Sequence, residues 1–425
     1  MFSEINHIIN QLSISMGLSK CLQQGLLADN RVLSVDFDQD CLLYSGDNID
    51  GLNSLVKNSP SSVGFCYIDP PYNCSGKFIY NDTRKGSDSG VWGKHSDWLE
   101  FMLPRLVMAK YLLKDTGSIA ISIDDYEFPY LKILMDKIFG EDNFIGNIIV
   151  CRSKNGKGSK KNIASSHEYL LVYGKSKSAV LRGSPDSLEL YDKEDKHGKY
   201  RVDGLFRKKG DASLKEDRPN MHYPLYYNEK GEVFLDADSN LKEVFPVDSK
   251  GIDRRWLWGT DTARDRSWKL YASASGVIYV KNYFSEEKRK KIRSLWSDAS
   301  YYTERGTQEI KKIYGNKVFD TPKPLDYIIN IIDTMAQPND VILDFFAGSG
   351  TTAHATKVLN DRDGGARKVV LMETDAPIPL KHIAKTKFDF ISEVTEYRLQ
   401  YLVDNKDNFT YKVSKRDTQE QVINL

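Results

Sequence analysis

Residues 340–353 constrain the fold of this chain more than any other segment. The letters DVILDFFAGSGTTA combine a short apolar run, two glycines separated by one residue, and two threonines. This pattern predicts a buried strand, a tight glycine turn and a helix that begins at the threonines. Glycine lets the backbone approach a ligand closely, and the N–H groups at the start of the helix face that ligand. The segment therefore indicates a nucleotide-type binding loop in an α/β fold.

A second apolar strand is predicted over residues 368–372, and it ends at Glu373. This acidic residue stands 23 positions after Gly350, where it can accept hydrogen bonds from the two hydroxyls of a ribose. The spacing Gly348-x-Gly350-x-x-Ala353 on its own also fits a dinucleotide binder. The glycine loop alone therefore does not fix the ligand.

The letters DPPY at residues 69–72 directly follow the apolar run 63–68. Proline locks φ and removes backbone donors, so the carbonyls of Asp69 and Pro70 are available to a ligand. Tyr72 adds a flat aromatic surface on which a ring can stack. The combination predicts a site for a planar amine. The four letters taken alone fit equally well a strand that ends in a Pro-Pro turn with a surface tyrosine.

The rest of the chain alternates predicted strands and helices, which favours a mostly parallel, twisted sheet of the α/β class. Apolar runs predict strands at 41–44, 118–123 and 167–173, and helical spacing predicts helices near 96–114, 126–139 and 324–335. The irregular, aromatic-rich stretch between the two halves predicts an insert. The predicted domains are a helical segment (1–29), a first half (30–181), the insert (182–315), a second half (316–402) and a tail (403–425).

Charge is distributed unevenly although the net charge is only +1. Residues 151–320 contain 35 Lys and Arg against 25 Asp and Glu, interleaved with Tyr and Trp. Cationic groups with polar and aromatic neighbours suit a phosphate backbone. We therefore expect this region to bind nucleic acid. The candidates for reading base edges are Arg254, Arg255, Arg264 and Arg266, and the same arginines fit equally well contacts to phosphates or surface charges.

Cysteine usage and hydropathy exclude several classes of protein. The five cysteines form no C-x-x-C pair, so the sequence predicts neither a metal site nor a disulfide framework, and a reducing cytoplasm is the expected compartment. No apolar run approaches the roughly 20 residues that a membrane helix needs. The first residues lack the basic start of a signal peptide.

Taken together, the two motifs resemble the DNA amino-methyltransferases that use S-adenosyl-L-methionine, in the class where the catalytic motif precedes the cofactor motif. The segments FIYND (78–82), SIDD (122–125), HEYLLVY (167–173) and TPKP (321–324) are similar to the Mod subunits of type III restriction systems. The resemblance covers roughly residues 30–180 and 316–400. It implies a Rossmann-like methyltransferase fold with permuted motif order, into which a target-recognition domain is inserted.

The resemblance also implies roles for individual residues. The catalytic residues would be Asp69, Pro70, Pro71 and Tyr72. S-adenosyl-L-methionine would bind at Asp47, Lys323, Asp344, Phe346, Gly348, Ser349, Gly350, Thr351 and Glu373, and the target base would bind at Phe78, Tyr80 and Asn81.

The implied reaction is N6-methylation of adenine in double-stranded DNA. Asp69 and the Pro70 carbonyl would accept the two amine hydrogen bonds while Tyr72 stacks on the base. The methyl group would transfer directly, and the base would have to be flipped out of the duplex. The enzyme would act in a restriction-modification system or as a solitary methylase. A second copy of the chain and a restriction subunit are further partners that the resemblance suggests.

Other classes fit the residues less well. Cytosine N4-methylation could use the same site, although that class more often resembles Ser-Pro-Pro-Tyr. A non-catalytic DNA-recognition subunit would require that cofactor binding had been lost. A nicotinamide dehydrogenase would leave Asp69 and Tyr72 without a role. An amide methyltransferase normally has Asn at the first position of the proline motif.

Overall fold

The computed structural model describes residues 1–18, 32–73, 91–156, 162–405, 408–415 and 421–423. The chain folds into two units, a larger one of Met1–Ser184 with Lys291–Leu425 and a smaller one of Pro185–Lys290. The smaller unit lies inside the range predicted for the insert, whereas residues 291–315 of that range pack with the larger unit. The recognition role predicted for the range remains a prediction.

Nine α-helices form within these described ranges. They are α1 (Phe2–Met16), α2 (Asn48–Asn58), α3 (Ser96–Leu112), α4 (Phe128–Phe139), α5 (Thr260–Arg266), α6 (Thr303–Tyr314), α7 (Leu325–Met335), α8 (Thr351–Asp363) and α9 (Ile391–Asn405). The predictions of helices near 96–114, 126–139 and 324–335 are confirmed by α3, α4 and α7.

The same parts of the chain contain nineteen strands. They are β1 (Cys41–Ser45), β2 (Val63–Ile68), β3 (Leu113–Ile123), β4 (Phe144–Cys151), β5 (His167–Gly174), β6 (Ser184–Pro185), β7 (Lys193–Asp195), β8 (Gly198–Leu205), β9 (Leu225–Tyr227), β10 (Val233–Phe234), β11 (Lys242–Val244), β12 (Leu270–Ala272), β13 (Ile278–Tyr283), β14 (Arg289–Lys290), β15 (Leu295–Trp296), β16 (Val341–Asp344), β17 (Lys368–Glu373), β18 (Tyr411–Lys415) and β19 (Gln421–Ile423).

The larger unit is organised around one mostly parallel sheet. Among the described strands its order is β15-β4-β5-β3-β2-β16-β17-β1-β18-β19. The central run from β3 to β18 is parallel throughout, while β5 runs antiparallel to both of its neighbours. The prediction of an α/β fold with a mostly parallel sheet is confirmed. β2 comes early in the chain and β16 comes late, but the two strands are neighbours in the sheet. The two predicted motifs therefore meet at its centre.

Helices cover both faces of this sheet, which explains why its central strands are apolar on both sides. Side chains of a strand alternate between faces. In β2, Cys66 and Ile68 accordingly pack into the core on one face, whereas Phe65 and Tyr67 pack into the core on the other. The first core is shared with α1 to α4 and the second with α7 to α9.

The C-terminal residues differ from the sequence expectation. Residues 403–425 were expected to form a tail, but α9 extends to Asn405 and β18 pairs with β1 in the central sheet. Tyr411 and Val413 of β18 are buried. The segment is short and polar, so its sequence does not predict a strand. It forms one because it pairs with β1.

The smaller unit has its own core. A sheet of order β12-β13-β8-β7 and a second of order β10-β9-β11 are found in its described part. Phe206 and Trp256 stack at a ring-centroid distance of 5.2 Å at the centre of this core. Throughout the parts of the chain that the structure describes, no helix is both long enough and apolar enough to cross a membrane.

Candidate active site

Three neighbouring parallel strands end in acidic residues. Asp69 follows β2, Asp344 ends β16 and Glu373 ends β17. Since parallel strands end at the same edge of a sheet, these three carboxyl groups share one rim, which is where α/β sheets bind ligands. A cavity of about 710 Å³ opens at this rim and is lined by all three residues.

Hydrogen bonds fix the loop that follows β2. The Trp98 indole N–H donates to the carbonyl of Pro71 at 2.6 Å, and the Tyr72 hydroxyl donates to Asp69 Oδ1 at 2.5 Å. Asn73 has φ of 54°, a left-handed conformation that asparagine adopts more readily than most residues. These hydrogen bonds hold the tyrosine against the carboxylate of Asp69, which lines the cavity.

A partly buried cluster of charges surrounds this carboxylate. Lys323 Nζ lies 3.1 Å from Asp69 Oδ1 and 2.8 Å from Glu168 Oε2, and it donates to the Tyr72 hydroxyl at 2.8 Å. Arg152 Nε lies 3.1 Å from the same oxygen of Glu168. Two acids and two bases therefore share one network with the tyrosine.

The two carboxyl groups of this network differ in acidity. Burial raises the pKa of Asp69, and the neighbouring charge of Glu168 adds to this, while the ammonium of Lys323 opposes it. For Glu168, burial alone would raise the pKa, but Arg152 and Lys323 outweigh burial and hold the pKa of that carboxyl below its usual value. Glu168 is thus the fixed negative charge, and Asp69 is the weaker acid facing the cavity.

The glycine loop after β16 forms the opposite wall of the cavity. Gly348 has φ of 56°, and its N–H donates to Glu373 Oε2 at 2.5 Å. A Cβ at this glycine would lie 3.1 Å from the ring of Phe319, so both the backbone conformation and the space favour glycine. Helix α8 begins at Thr351, and the N–H groups of its first turn have no helical partners. Such a loop suits a ligand with hydrogen-bond acceptors.

Both acids beside this loop have raised pKa values. Burial raises the pKa of Asp344 to about 7, although Asp344 accepts hydrogen bonds from the Thr352 hydroxyl and the Phe346 N–H. Burial also raises the pKa of Glu373 to about 7. A ligand that donates hydrogen bonds to either carboxylate would therefore be bound more tightly when these groups are ionised.

Asp47 lies at the far end of the cavity, where it caps α2 by accepting from the Ile49 N–H at 3.0 Å. Arg105 holds it in place with a hydrogen bond of 2.9 Å to Asp47 Oδ1. The guanidinium of Arg105 also donates to Asn48 Oδ1 and lies 3.7 Å from the ring centroid of Phe101. This part of the cavity combines aromatic faces with polar groups, which suits a nucleobase.

The structure brings together most of the residues predicted from sequence. The predicted residues that line the cavity are Asp47, Asp69, Pro71, Lys323, Asp344, Phe346, Gly348, Ser349, Thr351 and Glu373. Pro70, Tyr72 and Gly350 lie within the same loops. Phe78, Tyr80 and Asn81, predicted to contact the target base, lie outside the described residues.

Three further residues of the site were not predicted. Glu168 is an acid inside the apolar strand β5, and that contrast was a usable signal. Phe101 and Arg105 are four residues apart on α3 and therefore share one face of the helix. Nothing in their local sequence distinguishes that face from an ordinary amphipathic one.

The arginines proposed as base readers have differing environments within the smaller unit. Arg255 is 8% exposed and donates to the carbonyl of Ala212, so its guanidinium supports the local fold. Arg254 pairs with Asp248, and Arg264 forms two hydrogen bonds with Asp236. Arg266 is exposed. Of the four, Arg264 and Arg266 remain on the surface.

Comparison with known proteins identifies the family to which this chain is similar. Residues 63–404 match a family model described as "DNA methylase". The type II methyltransferase M.KpnI of Klebsiella pneumoniae is 60% identical over 95% of this chain and 97% of its own length.

Two longer relatives are also similar. The EcoPI Mod subunit of Escherichia phage P1, a type III restriction-modification enzyme, is 32% identical over 84% of this chain and 61% of its own length. The StyLTI Mod subunit of Salmonella typhimurium is 34% identical over 87% and 58%, respectively. The chain therefore spans nearly all of the first relative but only about three fifths of the Mod subunits.

Proposed function

This chain belongs to the DNA methylase family, and from that premise we propose that it transfers a methyl group from S-adenosyl-L-methionine to the N6 amine of an adenine in double-stranded DNA. The observation that carries this proposal is the single cavity that joins Asp69 after β2 to the glycine loop after β16. An amine acceptor and a nucleoside-type loop on one rim are what direct methyl transfer requires.

The residues present fit the cofactor. The ribose suits the carboxylate of Glu373, the adenine suits the space near Asp47 and Phe346, and the N–H groups of the glycine loop suit the amino-acid part of the molecule. When bound, S-adenosyl-L-methionine supplies a methyl group activated by a positively charged sulfur. Lys323 was expected to meet the carboxylate of the cofactor, whereas in the structure its ammonium lies against Asp69 and Glu168.

The adenine amine is a weak nucleophile because its lone pair is delocalised into the ring. Asp69 and the Pro70 carbonyl accept its two hydrogens, which favours a more pyramidal and more nucleophilic nitrogen. Tyr72 stacks on the base and, through its hydroxyl, fixes the carboxylate. Since the amine of a paired base lies within the duplex, the base must be flipped out to reach the cavity.

Cytosine N4-methylation is the second candidate, because its amine fits the same acceptors. The aspartate at position 69 favours adenine, as the cytosine class more often resembles Ser-Pro-Pro-Tyr. A non-catalytic recognition subunit is disfavoured by the cofactor loop, whose residues line an intact cavity.

DNA is the partner that the family supports. We further propose that the enzyme serves a restriction-modification system, since similar proteins carry that function in their names. A second copy of the chain, a restriction subunit and a cytoplasmic location remain proposals.

The direct test is single-molecule sequencing of DNA from cells that express the chain in a methylation-free host. N6-methyladenine at one recurrent sequence is the expected result, and the Asp69→Ala chain is the matched control. N4-methylcytosine at a recurrent sequence would instead support the second candidate, cytosine N4-methylation. An absence of any modified base, with the purified protein folded, would contradict the proposed reaction.

We assign sequence choice to the smaller unit, because it lies within the predicted insert and exposes polar and aromatic side chains such as Arg264 and Trp268. Replacing Pro185–Lys290 with the corresponding segment of a relative that methylates another sequence should change the methylated sequence while the product stays N6-methyladenine. Sequencing of the DNA again provides the measurement. An active chimera that still methylates the original sequence would assign recognition to the larger unit.

A further inference from the structure

Glu168 is a buried acid that shares Lys323 with the proposed amine acceptor Asp69. The residue is 1% exposed and lies within β5, where an unpaired carboxylate would be strongly destabilising. It has three polar partners: Lys323 at 2.8 Å, Arg152 at 3.1 Å and the Tyr72 hydroxyl at 3.3 Å. Two of these partners also contact or approach the proposed amine acceptor.

The charges in this cluster balance. Asp69 and Glu168 carry negative charges, and Lys323 and Arg152 carry positive ones. The position of Lys323 matters most, since its ammonium lies 3.1 Å from Asp69 Oδ1. An uncompensated cation there would oppose the arrival of positive charge on a nearby amine, because buried charges are weakly screened.

The proposed reaction moves positive charge to that place. The bond between the amine nitrogen and the methyl carbon forms while the bond between that carbon and sulfur breaks. The positive charge passes from sulfur to nitrogen, and the nitrogen then releases one proton to water. Any group that offsets the charge of Lys323 therefore favours the transition state over the ground state.

We propose that Glu168 is a positioning residue for this methyl transfer, which holds Lys323 and Tyr72 beside Asp69 and neutralises the lysine charge as the amine becomes positive. This inference rests on the proposed function. It assigns to β5 a part in the reaction, although Glu168 itself is not one of the residues that line the cavity.

The first test is Glu168→Gln, which keeps the size of the side chain and removes its charge. At saturating DNA and cofactor, kcat should fall about 100-fold, while calorimetry should show a smaller loss of cofactor affinity, about tenfold at most, because the glycine loop is untouched and Lys323 remains at the cavity. Glu141→Gln is the matched control, because Glu141 is exposed and belongs to the larger unit rather than to the unit assigned to DNA recognition. Its kcat should not change.

The pH profile separates this role from a purely structural one. The ionisable groups that act on Asp69 are Lys323, Glu168, Tyr72, Arg152, Tyr67, Tyr327 and Asp344. Glu168 is one of those that raise the pKa of Asp69. Its removal lowers that pKa, so the acid limb of the kcat profile should move to lower pH in Glu168→Gln. Glu168→Asp keeps the charge, so its acid limb should stay at the wild-type pH even if packing changes.

A double-mutant cycle with Lys323→Gln tests the charge balance. If Glu168 acts by offsetting Lys323, the loss caused by Glu168→Gln should be at least about tenfold smaller in a chain that already lacks the lysine charge. A structural role predicts equal losses in both backgrounds. Equal losses, an unmoved acid limb in Glu168→Gln, or an unchanged kcat would overturn the inference. A wild-type chain that methylates no DNA would instead overturn the proposed function.

Discussion

Replacing Asp69 with alanine is expected to lower kcat for methyl transfer about 1000-fold or more. The carboxylate of Asp69 lines the cavity and is held by Tyr72 and Lys323, and the substitution removes the proposed acceptor of the target amine. Cofactor affinity should stay within a few fold, because Glu373 and the glycine loop belong to β16 and β17 rather than to the β2 loop. Single-turnover methylation of a DNA duplex measures the first quantity and calorimetry the second.

Asp115→Ala is the matched control, since the Asp115 side chain is 84% exposed and lies away from the cavity. It should methylate at the wild-type rate. Substantial turnover by a folded Asp69→Ala protein would remove Asp69 from the reaction, and an equal loss in the control would point to a general loss of folded protein.

The second large effect is expected for Glu373→Ala, which should weaken binding of S-adenosyl-L-methionine about 100-fold. Glu373 accepts hydrogen bonds from the N–H groups of Gly348 and Thr374 at 2.5 and 3.0 Å. The substitution therefore loses both the support of the glycine loop and the proposed bonds to the ribose, and hydrogen bonds to a charged group contribute about 1.5–3 kcal/mol each. Calorimetry without DNA measures this affinity directly.

The affinity should also depend on pH in a defined direction. Burial raises the pKa of Glu373 to about 7, so the carboxylate that accepts ribose hydroxyls is lost as the pH falls through 7. Cofactor binding should weaken over that range in the wild type. Asp344 has a pKa of about 7 as well, so Glu373→Ala should reduce this pH dependence without abolishing it.

Glu189→Ala, which alters an exposed acid of the smaller unit, is the control for both measurements. Unchanged affinity and an unchanged pH dependence in a folded Glu373→Ala protein would contradict the proposed ribose contact.

Local sequence determined the elements that carry the site. The run 63–68 followed by two prolines predicts a strand that ends at Asp69, and the run before Gly348 predicts a strand that ends in a turn and a helix. These predictions succeeded because periodicity, glycine and proline act on the backbone within a few residues. They also placed Glu373 at the end of β17, from the same strand pattern.

Only the tertiary structure decided which of these elements are neighbours. β2 and β16 pair through Phe65 with Ile342 and Cys66 with Leu343, although hundreds of residues separate them in the chain. A strand pattern identifies a strand but not its partner, because pairing depends on the packing of the whole sheet. The same limit hid β18, whose place beside β1 its polar sequence does not reveal.

The charged network shows this limit most clearly. Glu168, Lys323 and Asp69 come from three distant segments, and no spacing rule relates them. The sequence by itself determined that β2 and β17 are followed by or end in the acids Asp69 and Glu373, which can accept hydrogen bonds from a ligand. The tertiary structure decided that Lys323 lies between two carboxylates and that Arg255 is buried, because burial and ion pairing depend on groups brought together only by the folded chain.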